Sequence, residues 1–281
     1  MNKIKITCDS TCDLTKELYE KYGVEVVPLG ITLGETLYLD SVDITTQKVF
    51  DYVAETGVLP KTSAISVADY ETVFKKYVSE GYSVIHINIS SEFSACHQHA
   101  RLAAEEVGNV YPIDSRNLSS GSGHLVIAAA EMAKDGMTAP EIAEKLNKIK
   151  EKLDVSFVLQ TLDYLKKGGR CSGVLALGAA MLQLRPEIEV VDGGMKVGKK
   201  YRGKIDKSIM DYVKGRLAGR DDIDTKRIFV THSYVPEEIV VQVKDYVKSL
   251  YPFEEVLETT AGCTVSSHCG PACLGVLFFK K

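Results

Sequence analysis

Val84-Ile85-His86-Ile87-Asn88-Ile89-Ser90, then Ser91-Glu92-Phe93-Ser94-Ala95, then Cys96-His97-Gln98-His99-Ala100-Arg101: the fold of this chain is read outward from these residues. Val84, Ile85, Ile87 and Ile89 are β-branched and follow Gly81, which marks a buried strand. Ser90, Ser91 and Ser94 come next, and Ala95, Ala100, Leu102, Ala103 and Ala104 then turn the chain helical. A strand that delivers hydroxyls to a helix start makes an anion site. The first helical N–H groups lack partners there, and the macrodipole favours negative charge. The plainer reading is that Ser91 or Ser94 caps the helix, and the company this stretch keeps decides between the two.

Upstream, Lys3 to Cys8 reads as a strand ending in the polar loop Asp9–Asp13, before a helix from about Leu14 to Tyr22. Val24 to Leu29 is a second strand, followed by a helix from about Thr46 to Glu55. The hydroxyl-rich loop Leu59–Ser66, which contains Thr62, precedes a helix through Tyr70, Phe74 and Tyr77. Downstream, the strand Val110–Ile113 ends in Asp114-Ser115, and Ser119–Gly123 leads into an apolar helix, His124 to Ala133. Pro140 suits the first turn of the next helix. Such alternation predicts a wound, mostly parallel α/β sheet, whose binding loops lie at the carboxyl ends of strands. Asp9–Asp13, Ser90–Ser94 and Asp114–Ser115 occupy such ends.

The rhythm changes after about Lys152. A strand, Val155–Leu159, and a short helix, Leu162–Lys167, precede the glycine-rich break around Arg170 and an apolar helix, Val174–Leu184. Ile188–Val191 and Met195–Val197 flank Asp192-Gly193-Gly194, a hairpin signal. The strands Ile228–Val230, Phe253–Leu257 and Cys273–Phe279 follow, the last preceded by a loop, Ser266–Pro271. The expectation is a wound α/β domain over 1–152 and an α+β domain with a mainly antiparallel sheet over 153–281. The two should pack closely, with a ligand site near their junction.

With 281 residues, 45% hydrophobic and 26% charged, the chain has the composition of an ordinary globular protein. A formal charge of −4 argues against a nucleic-acid surface. The basic stretch from Lys196 to Lys207 reads as a solvated hairpin and helix start, or as a surface for an acidic partner. The first ten residues are too short and polar for a signal peptide, and no apolar run reaches transmembrane length, so a cytoplasmic protein is expected. Seven scattered cysteines suit reduced thiols better than a disulfide framework.

Six segments together resemble the DegV family, the fatty-acid-binding subunits of bacterial fatty acid kinase. They are CDSTCDL at 8–14, KTSAIS at 61–66, ISSEFSA at 89–95, YPIDSRNLSSGSG at 111–123, LKKGGRCSG at 165–173 and HCGPACLG at 268–275. Each is weak alone, and their order is the signal. Ala95-Cys96, Ala64-Ile65 and Cys269 depart from the family pattern. The resemblance implies a two-domain α/β protein that buries one long-chain fatty acid, without a cofactor. A separate kinase then phosphorylates its carboxylate from ATP, and lipid exchange would involve transient membrane contact. By resemblance Thr62, Ser94 and His268 bind the carboxylate, Ser91 joins them or shapes the loop, and Arg170 with His268 faces the kinase or the phosphate. Charge-assisted hydrogen bonds of this kind contribute ~1.5–3 kcal/mol each. A chain of roughly sixteen carbons gains on the order of 11 kcal/mol from burial before binding costs. The apolar helices 124–133 and 174–184 are candidate tunnel walls, or ordinary core.

Duller readings stand beside these. Arg170 could simply close the helix before it, and a lone loop histidine such as His268 is usually a surface residue. A stand-alone ester or thioester hydrolase using Ser94 and His268 is the alternative from another class. Residues 92–96 lack the Gly-x-Ser-x-Gly elbow that such enzymes use. Cys263, His268, Cys269 and Cys273 lack the paired spacing of a zinc site. Gly121-Ser122-Gly123 lacks the lysine of a phosphate-binding loop and the third glycine of a dinucleotide fingerprint, so the chain is not expected to hold ATP.

Overall fold

The computed structural model describes residues 3–170 and 184–281. In the first half the strands are β1 (Lys3–Asp9), β2 (Glu25–Val27), β3 (Gly30–Leu33), β4 (Thr36–Leu39), β5 (Lys61–Ser63), β6 (Tyr82–Asn88) and β7 (Val110–Asp114). The helices between and after them are α1 (Lys16–Tyr22), α2 (Thr46–Thr56), α3 (Val67–Ser79), α4 (Cys96–Val107), α5 (Ser119–Lys134) and α6 (Ala139–Ile149). β2, β1, β6 and β7 form, in that order, a fully parallel sheet. Its inner strand β6 is buried from Ser83 to Asn88, as a strand covered on both faces must be. Ile85 and Ile87 pack with Ile6, Ile113 and Leu125 of β1, β7 and α5. α5 approaches closely because Gly123 has no side chain: a Cβ there would meet the Cys12 carbonyl at 2.9 Å.

The second half continues with β8 (Leu153–Val158), α7 (Asp163–Lys167), β9 (Leu184–Val191), β10 (Gly194–Arg202), α8 (Ile205–Leu217) and β11 (Ile223–Ser233). It ends with α9 (Glu237–Leu250), β12 (Glu255–Thr260), α10 (Cys263–Cys269) and β13 (Cys273–Lys280). The sheet order is β10-β9-β8-β13-β11-β12, antiparallel except for the β11–β12 pair. The molecule is thus an α/β fold with an N-terminal parallel sheet and a mainly antiparallel C-terminal sheet, as the two rhythms of the sequence indicate. Val155, Phe229 and Leu277 of the second sheet share a buried cluster with Ile85 and Leu125 of the first half. Among the described residues no helix is long and apolar enough to cross a membrane.

Several segments differ from the sequence reading, and one falls mostly outside the described residues. Gly30–Leu33, Thr36–Leu39 and Lys61–Ser63 make a small antiparallel sheet, β4-β3-β5, so Thr62 stands on a strand, opposite Ile31, and not in a loop. Strands of three or four residues are too short for alternation to show. The segment read as a loop before β13 is the C-terminal part of helix α10, and β12 begins at Glu255, two residues later than read. Of the helix read at 174–184, residues 174–183 lie outside the described residues, and Leu184 begins β9.

Candidate functional site

Asp9, at the end of β1, is fully buried and gathers the elements around the site. Its carboxylate accepts from Tyr70 Oη (2.6 Å), the Ile89 amide (2.9 Å) and Asn88 Nδ2 (3.3 Å), and stands 3.0 Å from His86 Nε2. A buried carboxylate needs this many partners. The amide bond to Ile89 fixes the chain where β6 ends and the serine turn begins. Within that turn, the Phe93 and Ser94 amides donate to the Ser90 carbonyl (2.9 and 3.3 Å). Ser90 Oγ donates to the Gly193 carbonyl at 2.7 Å, tying the turn to the β9–β10 hairpin.

The turn borders a small, mainly apolar cavity. Leu29, Ile89, Phe93, Leu118, Met195 and Val265 supply apolar wall, and Thr62, Ser94, Thr264 and His268 supply polar groups. A second small apolar space shares Leu118, Val265 and Cys269 with the first and runs against Val155, Phe157 and Leu277 of the mixed sheet. The residues His124 to Ala133 of α5 line neither space; they are core.

Three of the sequence-read site residues meet here, with a fourth at the rim. Thr62 Oγ1 lies 2.9 Å from His268 Nε2, joining residues 206 apart in the chain. His268 is partly buried, and its Nδ1 has no partner among the described residues. Burial, with the nearby Arg170 charge adding to it, pushes the His268 pKa down to about 4, so the ring is neutral near pH 7. Ser94 Oγ donates to Cys96 Sγ at 3.1 Å and accepts from the Cys96 amide at 3.3 Å. Arg170 is exposed; its Nη1 donates to the Gly168 carbonyl (3.0 Å) and its Nε to the Phe93 carbonyl (3.5 Å). Ser91 is not brought to the cavity: its hydroxyl donates to Asp114 Oδ2 at 2.7 Å, on the exposed side of the turn.

α10, which carries His268, is held at its start by two buried acidic side chains. Asp13 accepts from the Gly262 amide (2.9 Å) and from Ser119 Oγ. Asp40 accepts from the amides of Cys263 (2.9 Å) and Thr264 (3.2 Å) and from Ser10 Oγ (3.0 Å). Burial raises the Asp13 carboxyl to about 8. Asp40 and Thr264 are absent from the sequence reading. Asp13 falls in a loop already marked as a strand end, whereas Asp40 follows an unpatterned segment.

The arrangement suits binding an anion with an apolar tail. It does not suit acyl hydrolysis, since the Ser94 hydroxyl and the His268 ring have other partners and, among the described residues, no carboxylate orients Nδ1. Among the described residues no three His, Cys, Asp or Glu side chains are placed to hold a metal ion.

The chain is similar to known proteins over nearly its whole length. A DegV domain-containing protein of Clostridium perfringens is 33% identical over 285 residues, covering 100% of both chains. The solved structure of a DegV family protein from Thermus thermophilus, described by its fatty acid binding, is 31% identical with a TM-score of 0.88, covering 99% of this chain and 100% of that one. A stearic-acid-binding protein from Eubacterium ventriosum is 29% identical with a TM-score of 0.87, covering 100% and 99%. The family model described as "Uncharacterised protein, DegV family" matches residues 3–281, and the chain belongs to the DegV family.

Proposed function

We propose that this chain binds one long-chain fatty acid in the cavity and presents its carboxylate to a separate ATP-dependent kinase for acyl phosphate formation. The observation that carries the binding half is the Thr62–His268 pair, 2.9 Å apart, lining with Ser94 the same mainly apolar space. The fatty acids named for the two solved relatives support the ligand class. The acyl chain runs past Leu118, Val265 and Cys269 toward the mixed sheet. Thr62, Ser94 and His268 hold the carboxylate, while Ser91, bonded to Asp114, shapes the turn.

The kinase half rests on the motif resemblance and on the exposed placement of Arg170, which with His268 faces the incoming phosphate. The protein then acts as a lipid-binding subunit, not as an enzyme alone, works in the cytoplasm without a cofactor, and exchanges its lipid through transient membrane contact. Residues 1–152 and 153–281 form its two domains, with the site at their junction. The binding half is tested by Ser94→Ala. Its affinity for palmitic acid should fall about tenfold, the worth of one charge-assisted hydrogen bond, and its affinity for hexadecanol much less. Equal losses for both ligands would assign Ser94 to packing or capping.

A further inference from the structure

Helix α10 carries three hydroxyl side chains, and two of them are used up inside the protein. Ser266 Oγ donates to the Ala261 carbonyl at 3.1 Å, and Ser267 Oγ to the Cys263 carbonyl at 2.7 Å. Thr264 is the exception. The residue is 5% exposed, and its Oγ1 has no hydrogen-bond partner among the described residues. It lines the same cavity as Thr62, Ser94 and His268. The i, i+4 spacing places it on the His268 face of the helix, with Cβ atoms ~5–6 Å apart.

A threonine in a helix can satisfy its hydroxyl on the carbonyl three or four residues back, as Ser267 does here. Thr264 does not, although its backbone is firmly held. Its amide donates to Asp40 Oδ2 at 3.2 Å, and Asp40 is itself fixed by Ser10 and Ser41. An unpaired buried hydroxyl is unfavourable, and valine would fill the same volume without that cost. A buried, unpaired hydroxyl on a rigidly held residue that lines a ligand cavity points to a partner on the ligand.

We infer that Thr264 is a further specificity-determining residue whose hydroxyl donates to an oxygen at the carboxyl end of the bound acid. It acts beside Thr62, Ser94 and His268, and the inference rests on the fatty-acid reading above. The hydroxyl thus destabilises the ligand-free protein and contributes to affinity once the acid is present. Two measurements on delipidated protein separate this from a packing role: affinity for palmitic acid, and thermal unfolding without ligand. Thr264→Val should bind palmitic acid about tenfold more weakly while melting no lower than wild type. Thr264→Ser should bind nearly as wild type does. Unchanged palmitic acid affinity in Thr264→Val would overturn the inference. So would a loss of affinity accompanied by a lower melting temperature, or a failure to fold, because both would show that the side chain acts by packing. If wild type itself takes up no palmitic acid, the fatty-acid reading falls and takes the inference with it.

Discussion

Single side chains in this protein work mainly by being buried with the right partners. His124 is the plainest case: it is fully buried, and its Nε2 donates to the Leu277 carbonyl at 3.0 Å. Burial lowers its pKa to about 3. The folded state therefore keeps the ring neutral, while the unfolded chain protonates it below about 6.5. The stability from this group is complete above that pH and is lost as pH falls toward 3, by ~1.4 kcal/mol per pH unit within the window. Urea unfolding at pH 7, 6 and 5 should show that His124→Gln is less stable at neutrality but declines less steeply with acid. Parallel declines would mean that the ring already charges in the folded state. Thr62, Ser94, His268 and Arg170, the proposed site residues, were picked out by the resemblance of six ordered motifs to the DegV family, and the structure brings all four to one cavity. Asp40 and Thr264 were not picked out. Asp40 acts on amides 223 and 224 residues away, and no local pattern encodes that meeting. Ser91 sits in the same motif as Ser94, yet one turn of backbone separates a side chain facing Asp114 from one facing the cavity.

Among the elements, α10 shows why local sequence was insufficient. Its seven residues, rich in Ser, Thr and Cys, would not hold a helix alone. Asp13 and Asp40 satisfy its first amides, and Gly270, at φ +74°, ends it against the Tyr164 ring, where a Cβ would come within 2.7 Å. These contacts lie far away in sequence, so the segment reads as a loop. The long hydrophobic rhythms of β1, β6, β7 and α5 were legible because each element buries a continuous face. The same helix supplies a test of how the site is positioned. The end of α7 meets the His268 ring at Gly168, and a Cβ there would collide with Nδ1 and lie 3.0 Å from the Tyr164 carbonyl. Gly168→Ala should fold, displace the imidazole from Thr62 and weaken palmitic acid binding about tenfold. Wild-type affinity in a titration would show that the Thr62–His268 pair does not hold the ligand.

Across the whole molecule, the two apolar spaces share Leu118, Val265 and Cys269, the second runs against the mixed sheet, and exposed Arg170 lines the first. On the proposed reading, burial of an acyl chain there supplies most of the gross binding energy, on the order of 0.8 kcal/mol per methylene. An exposed rim cation should then matter little for retention and much for a step in which charge builds on a transferring phosphoryl group. Arg170→Ala is expected to keep its fatty acid, measured by mass spectrometry, yet to support far less acyl phosphate formation with saturating kinase and ATP. An emptied cavity would place the arginine in the binding site proper, and unchanged phosphorylation would remove it from the kinase step. The two-sheet architecture was legible in the change of rhythm near Lys152, whereas the cavity was not, because it is made by side chains from β5, β10, α10 and the serine turn that meet only in three dimensions. The most direct test of fatty acid binding is the ligand content of the protein itself. Mass spectrometry of an organic extract from purified recombinant chain should find long-chain fatty acid at close to one per chain. No fatty acid in the extract, together with no uptake of added palmitic acid, would contradict it.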